Sequence, residues 1–168
     1  MVHEPFKGYF SGRNFAKHLT EWLPWKLREL GLSKLLDNGP VVDLGCGLAT
    51  TLEELARAYP NVQVISVDIN SEYLADAKAR IPANASLIKT FLKELPIRNG
   101  SIPIAISHKI YQLENEKTYS QIAKEIHRIL KAGGVYFSLE DMKKYMEPFK
   151  RLGLIPVQDE YYAILMKP

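Results

Sequence analysis

The stretch that decides the fold is VVDLGCGLAT, residues 41 to 50. An apolar strand runs into a glycine-rich turn and then into a helix, which is how many proteins hold nucleotides. Glycines at 45 and 47 let the backbone turn tightly and approach a ligand, because a side chain there would occupy the ligand's space. Asp43 precedes them, and a turn that bound phosphates would disfavour a carboxylate at that place.

Outward from this turn, apolar runs alternate with helical stretches. The predicted strands cover residues 40–44, 62–67, 86–88, 102–106 and 135–139, followed by two more runs within residues 154–168. The alternation predicts parallel pairing with crossover helices, and therefore an α/β fold: a three-layer α/β sandwich around a Rossmann-like, mostly parallel sheet of seven strands. The last two runs are separated by a short turn, so we expect an antiparallel hairpin at the C-terminal end.

Several boundaries follow from local signals. Thr50, with Glu53 three places later, forms a candidate capping box for the helix after the glycine turn. The helix from about residue 116 to 131 is expected to end at Gly133. Residues 1–30 are predicted to be an N-terminal arm and a lid helix, and the whole chain, 1–168, a single domain.

Composition limits the function classes. The chain has 168 residues, of which 46% are hydrophobic and 24% charged, and no apolar run approaches the ~18 residues of a membrane span. The N-terminus has no apolar signal segment. Cys46 is the only cysteine, so we expect no intramolecular disulfide and a cytoplasmic location. A net charge of +3, spread along the chain, does not indicate nucleic acid or a membrane as a partner.

A second carboxylate identifies the kind of nucleotide. Asp68 ends the next strand, where it can accept hydrogen bonds from both hydroxyls of a ribose. A dinucleotide turn would need a third small glycine beside its pyrophosphate, whereas Ala49 and Thr50 stand in that region. Asp43 would repel a pyrophosphate. The pattern favours a cationic, phosphate-free nucleotide, with an NAD(P)-binding Rossmann protein as the alternative.

S-adenosylmethionine (SAM) is such a ligand, and the chain from about residue 38 to the end resembles the class I (Rossmann-like) SAM-dependent methyltransferases. VVDLGCGLAT resembles their first motif and VISVDINSEYL, residues 64–74, their second. ELPIRNGSIPIAIS resembles the segment that leads into and forms their fourth strand, and KEIHRILKAGGVYFSLE the helix, glycine turn and fifth strand. LGLIPVQDEYYAILMKP resembles their terminal antiparallel hairpin. Five motifs in the family's order make the resemblance specific.

The resemblance implies SAM as cofactor, S-adenosylhomocysteine as product, and a set of cofactor-binding residues. Asp68 takes the place of the ribose acid, and Ile69 is expected to pack on the adenine. Phe91 stands where many relatives carry an acid that contacts the adenine amine, so it could stack on the ring or join the core, with backbone groups near Leu92 supplying polarity. The implied cofactor contacts are Asp43, Gly45, Cys46, Gly47, Asp68, Ile69, Phe91, Leu92 and Ser107.

Methyl transfer needs few catalytic groups. It is an in-line displacement at a methyl group on a positive sulfur, and a base is required only when the acceptor arrives protonated. His108, just beyond the fourth predicted strand, is the candidate general base, because imidazole titrates near neutral pH. The alternative is a loop histidine bonded to backbone or solvent.

Candidate contacts to the methyl acceptor lie beyond the fourth strand and in the arm. They are Tyr9, Phe10, Arg13, Lys109 and Tyr111. Each has an alternative: the arm could pack on the sheet, and the last two residues could only cover the cleft. Glu140 and Asp141 could hold a cationic acceptor or cap the next helix. The other histidines and Cys46 lack metal-ligand spacing, so no metal is expected.

We therefore expect a SAM-dependent methyltransferase acting on an unidentified acceptor, with a small molecule favoured over protein or RNA. A SAM-binding regulatory or partner subunit with little activity is the main alternative, because a fold does not guarantee a function. The methyl acceptor is an unknown partner, and a homodimer is a possible assembly.

Overall fold

Seven strands form one mixed sheet in the computed structural model of the chain, which describes residues 12–110, 115–139, 146–158 and 162–168. The strands are β1 (Val41–Leu44), β2 (Val64–Asp68), β3 (Ala85–Lys89), β4 (Ile102–Ser107), β5 (Leu130–Ser138), β6 (Ile155–Gln158) and β7 (Ala163–Met166). The α-helices are α1 (Gly12–Glu29), α2 (Thr50–Ala58), α3 (Ser71–Lys78), α4 (Glu116–Ile129) and α5 (Met146–Arg151), and a short 3-10 helix covers Ser33–Asp37.

The strand order is β3-β2-β1-β4-β5-β7-β6. β1 pairs in parallel with β2 and with β4, while β7 runs antiparallel to both β5 and β6. The predicted seven-stranded, mostly parallel sheet with a C-terminal hairpin is therefore confirmed. The chain builds outward from β1 in one direction and then returns to add β4 on the other side. This reversal opens a crevice at the carboxyl ends of β1 and β4, where ligands of such sheets bind.

Two apolar clusters, one on each face of the sheet, make the three layers. Val41 and Val42, neighbours in β1, belong to different clusters, because successive strand residues point to opposite faces. One cluster includes buried residues of α1, α2 and α3, and the other includes buried residues of α4 and α5. The predicted three-layer α/β sandwich is confirmed.

α1 packs into the first of these clusters. Its residues Phe15, Leu19, Leu23 and Leu27 follow the spacing of one helix face, and all four are buried. Pro24 lies within the helix. Residues 12–29 of the predicted arm and lid helix thus form part of an outer layer, and residues 1–11 lie outside the described residues.

The predicted capping box at Thr50 is wrong. Ala49 is the N-cap residue, in a left-handed conformation with φ 55°, and no side chain caps the helix there. The Glu53 carboxylate is engaged elsewhere, since Arg57 Nη2 lies 3.0 Å and Arg13 Nη2 3.3 Å from its oxygens. The Glu53 carboxylate thus forms ion pairs within α2 and with α1, and it does not cap the helix.

The predicted end of α4 at Gly133 is also wrong. The helix ends at Ile129, and Leu130 already begins β5. Gly133, with φ 71°, donates its N–H to the carbonyl oxygen of Lys167 at 2.8 Å. At Gly134 an added Cβ would lie 3.0 Å from the carbonyl oxygen of Ile102. Gly133 thus provides a left-handed backbone conformation and Gly134 a close approach between strands. Sequence signals cannot distinguish these uses of glycine from the end of a helix.

Arg128 on α4 secures the loop that leads into β4. Its guanidinium donates to the carbonyl oxygens of Leu95 at 2.8 Å and Ile97 at 2.7 Å, and it contacts both oxygens of Glu125 at 2.7 Å. Replacing Arg128 with alanine is expected to lower the free energy of unfolding by about 1–3 kcal/mol, because several charge-assisted hydrogen bonds are lost together. Chemical denaturation measures the change. Lys124→Ala, at an exposed position of the same helix, is the control, and equal stability of the two variants would contradict the anchoring role.

Candidate active site

A cavity of about 340 Å³ lies at the carboxyl ends of β1, β2 and β4, and its size is within the range of ligand-binding clefts. Its walls include Asp68, Ile69, Phe91, His108 and Lys109. These side chains come from the end of β2 and from the segments that follow β3 and β4, so the edge of the sheet brings together residues that are far apart in the sequence.

The Asp68 carboxylate is held in place by two backbone groups. Its Oδ2 accepts a hydrogen bond from the N–H of Gly47 at 2.7 Å, and its Oδ1 accepts one from the N–H of Asn70 at 2.8 Å. A carboxylate has about four acceptor positions, so each oxygen can accept one more donor. The group is thus oriented in advance to accept the two hydroxyls of a ribose, and it also ties β2 to the glycine turn.

Two apolar side chains are exposed on the cavity wall. Ile69 is 47% exposed and Phe91 53% exposed. Both line the cavity, so a planar ring bound there could cover these apolar side chains and exclude water from them. The alternative in which Phe91 joins the core is excluded by this exposure. Lys93 Nζ lies 5.3 Å from the centroid of the Phe91 ring, within the distance of a cation–π interaction.

The glycine turn needs glycine at both positions, for different reasons. Gly45 has φ 72° and Gly47 φ 53°, a region that disfavours side chains. A Cβ on Gly45 would also lie 2.5 Å from Cγ2 of Ile110, whereas a Cβ on Gly47 would meet no protein atom within 4 Å. The space beside Gly47 is therefore open to a ligand.

His108 lies at a bend just after β4, and its ring stacks on that of Phe15. Burial, and secondly the neighbouring Lys109, lower the pKa of the imidazole from 6.5 to about 4. The ring is therefore neutral at pH 7 and can accept a proton or a hydrogen bond, although it is a weaker base than an ordinary histidine. Lys109 has φ 61°, a strained conformation of a kind that is found at functional sites.

Comparison with known proteins identifies the family. Residues 41–134, more than half of the chain, match the family model of a methyltransferase domain. The chain belongs to this methyltransferase family. The matched range contains the glycine turn and the walls of the cavity from Asp68 to Lys109, so the confirmed resemblance covers the candidate active site.

Individual relatives agree with the family assignment. A demethylmenaquinone methyltransferase of Chlamydia caviae is 36% identical over 111 residues, which cover 64% of this chain and 47% of that protein. A U6 snRNA (guanine-N(2))-methyltransferase of Bos taurus is 25% identical over 138 residues, covering 77% of this chain and 27% of that protein. The chain thus spans about half the length of the first and about a quarter of the second.

A solved structure shows the same fold. The TehB-like SAM-dependent methyltransferase of Corynebacterium glutamicum superposes with a TM-score of 0.67, covering 89% of this chain and 98% of that protein. The sequence identity is 18%, so this likeness supports the class I methyltransferase fold and leaves the acceptor open.

Four of the expected SAM contacts, Asp43, Cys46, Gly47 and Ser107, are not among the residues that line the cavity. Asp43 is buried, accepts a hydrogen bond from Ser66 Oγ at 3.3 Å, and has its pKa raised to about 7, mainly by burial. A partly protonated carboxyl carries less negative charge, which weakens the inference from the sequence that Asp43 would repel a pyrophosphate. Burial also raises the pKa of the Cys46 thiol, and Ser107 Oγ lies 2.6 Å from Tyr136 Oη within the core. Their contacts with SAM stay predictions.

The expected acceptor contacts fall into three groups. Lys109 lines the cavity. The guanidinium of Arg13 forms ion pairs with Glu53 and Glu54 of α2. Tyr9, Phe10, Tyr111, Glu140 and Asp141 lie outside the described residues.

The sequence did not reveal every residue of the cavity wall. Thr90, Lys93, Ile110, Thr118 and Ile122 also line it. Thr90 follows β3 as Asp68 ends β2, so its position at the same sheet edge was a usable signal. Thr118 and Ile122 lie one turn apart on α4, and only the packing of that helix on the sheet brings them to the site.

Two further findings apply to the described residues alone. Within residues 12–110, 115–139, 146–158 and 162–168, no three His, Cys, Asp or Glu side chains cluster as metal ligands. In the same ranges, no helix combines the length and apolar character needed to cross a membrane.

Proposed function

We propose that this domain transfers a methyl group from SAM to a small-molecule acceptor by in-line displacement. The observation that carries the proposal is the Asp68 carboxylate, oriented by two backbone N–H groups beside the exposed side chains of Ile69 and Phe91. This arrangement offers two hydroxyl acceptors and an apolar surface, which are the needs of a ribose and an adenine. When bound, SAM supplies a methyl group on a positively charged sulfur.

The residues around this site would orient the reactants and exclude water. Asp68 would hold the ribose, and Ile69 and Phe91 the adenine. Leu92, Ile110 and Ile122 add apolar surface to the wall, so water would be displaced from the space where nucleophile and methyl carbon meet. Orientation alone can lower a barrier by roughly 7–11 kcal/mol in well-aligned reactions. His108, neutral at pH 7, would accept the hydrogen bond or the proton of the acceptor.

A small-molecule acceptor fits the comparisons better than a macromolecule. The relative with the higher identity is named for demethylmenaquinone, whereas the match to the RNA-modifying relative spans 27% of that protein. The charge of +3 is spread along the chain, which does not provide the dense basic surface that an RNA backbone needs.

Transfer of a labelled methyl group tests the proposed function. The protein is incubated with methyl-labelled SAM and cell extract, and the label is measured in small-molecule, protein and RNA fractions. We expect label in the small-molecule fraction. Label in RNA or protein would contradict the proposed acceptor class, and tight SAM binding without any transfer would favour a regulatory subunit.

Replacing His108 with alanine is expected to slow methyl transfer while SAM affinity is kept. Loss of a general base costs roughly 10²–10⁴-fold in rate, and the cofactor contacts lie elsewhere on the cavity wall. Initial rates with the acceptor from the labelling experiment, and calorimetry with SAM, measure the two effects. His127→Ala is the matched control, since that histidine on α4 also has a lowered pKa and is not among the residues lining the cavity. Full activity of His108→Ala would show that no base acts there.

Three further predictions concern the whole protein. We propose one domain over residues 1–168, a cytoplasmic location and a homodimer. Light scattering after size-exclusion chromatography measures the oligomeric state. A mass of one chain across the micromolar range would contradict the dimer.

A further inference from the structure

We propose that Phe15 is a positioning residue that holds the imidazole of His108 in one plane at the edge of the cavity. The two ring centroids lie 4.2 Å apart and the ring planes differ by 12°. A role of this stack in catalysis rests on the proposed function, whereas the contact between the two rings does not depend on it.

Phe15 is suited to hold another ring because it is itself fixed. It is 3% exposed and belongs to the cluster formed by α1, α2 and one face of the sheet. Two residues earlier on α1, Arg13 is paired with Glu53 of α2 at 3.3 Å. Packing and an ion pair thus set the position of the first turn of α1.

His108 needs such support because of its place in the chain. It follows the last residue of β4 and precedes Lys109, whose φ is 61°. The ladder between β4 and its neighbours ends at Ser107, so strand pairing does not set the direction of the next side chain. Ile104 and Ile106 point to the cluster that contains Phe15, and the stack on Phe15 holds the ring of His108 against the same face of the sheet.

The stack leaves the reactive part of the imidazole accessible to other groups. A parallel stack covers a face of the ring, whereas both nitrogens lie at its edge. His108 lines the cavity, so the plane set by Phe15 determines where a nitrogen can meet a donor on the acceptor. A free rotation of the ring would populate other directions and reduce the fraction of productive encounters.

Stacking also affects the charge of His108, in agreement with the lowered pKa of its imidazole. Phe15 excludes water from one face of the imidazole, which disfavours the imidazolium. The cation–π attraction of the Phe15 ring for the imidazolium acts in the opposite direction and is weaker. The charged groups on the cavity wall are Asp68, Lys93 and Lys109. On α1, Arg13 is engaged by Glu53 and Glu54, and Lys17 is exposed.

Nuclear magnetic resonance of the protein without cofactor tests the stack directly. The ring protons of His108 are assigned by comparison with His108→Gln and followed from about pH 3 to pH 8. In the wild type we expect contacts between the ring protons of Phe15 and His108, together with upfield shifts from the aromatic ring. In Phe15→Leu these signatures disappear and the pKa of the His108 imidazole rises toward 6.5, because water regains the ring face.

Two variants separate positioning from general loss of packing. Phe15→Tyr keeps an aromatic ring and is expected to retain the shifts and the low pKa. Leu23→Val removes volume from the same buried face of α1, two turns away, and is expected to leave His108 unchanged. An unaltered His108 in Phe15→Leu, an equal change in Leu23→Val, or no contact between the two rings in the wild type would overturn the proposal.

The outcome is separable from that for the proposed function. Calorimetry with SAM on the same samples is expected to give an affinity for Phe15→Leu within about twofold of the wild type, since Phe15 is not among the cavity-lining residues. Absence of SAM binding in the wild type would count against the proposed function and leave the stack in place. Loss of SAM binding in Phe15→Leu alone would show a structural role and contradict positioning of His108.

Discussion

Replacing Asp68 with alanine is expected to weaken SAM binding by about 1–3 kcal/mol, because the charged hydrogen bonds to the ribose hydroxyls are lost. The N–H groups of Gly47 and Asn70 lose their acceptor in the same variant, so the turn beneath the cofactor is loosened as well. Calorimetric titration with SAM measures the change in binding free energy, and thermal unfolding of the free protein separates it from a loss of stability.

Asp76→Ala is the matched control for this experiment. Asp76 is an exposed residue of α3, so its removal changes the net charge equally without touching the cavity. We expect its SAM affinity to match that of the wild type. Unchanged SAM affinity in Asp68→Ala would show that Asp68 does not contact the cofactor. Equal weakening in both variants would show that the change comes from the long-range effect of net charge.

Replacing Gly45 with alanine is expected to lower the free energy of unfolding by about 2–5 kcal/mol. A left-handed conformation costs an alanine about 1–2 kcal/mol, and the contact of 2.5 Å between its Cβ and Ile110 adds roughly 1–3 kcal/mol of overpacking. Denaturation by urea measures the difference from the wild type.

Gly47→Ala is the informative partner of this variant. It carries the cost of the left-handed backbone, with φ 53°, but its Cβ meets no protein atom within 4 Å. We expect a loss of stability of about 1–2 kcal/mol together with a clear loss of SAM affinity, since the added methyl group enters the ligand's space. Wild-type affinity in Gly47→Ala would remove Gly47 from the cofactor site, and equal stability of the two variants would contradict the crowding at Gly45.

The sheet and the cofactor end of the site could be predicted because their signals are local. The apolar runs that became β1, β2 and β4 lie between turn residues, and their order along the chain dictates parallel pairing. Asp68 ends a predicted strand, so its place at the carboxyl edge followed from the fold alone. Helix boundaries were less predictable: Glu53 pairs with Arg13 and Arg80 from other segments as well as with Arg57 of its own helix, and Gly133 donates a hydrogen bond to the C-terminal segment.

The acceptor end of the site depends on contacts between distant segments. The sequence placed His108 after the fourth strand, but the stacking of its ring on Phe15 needs α1 to cover that face of the sheet. Asp43 is a similar case. Its role as a fixed negative charge was a reasonable expectation from its position, whereas burial raises its pKa to about 7. Solvent exclusion is a property of the packed fold, and no local pattern encodes it.

The identity of the bound nucleotide is the central claim, and calorimetric titration of the wild-type protein with SAM and, separately, with NAD tests it most directly. The Asp68 carboxylate, the open space beside Gly47 and the exposed Ile69 and Phe91 predict binding of SAM and no measurable binding of NAD. Micromolar binding of NAD without binding of SAM would contradict the account.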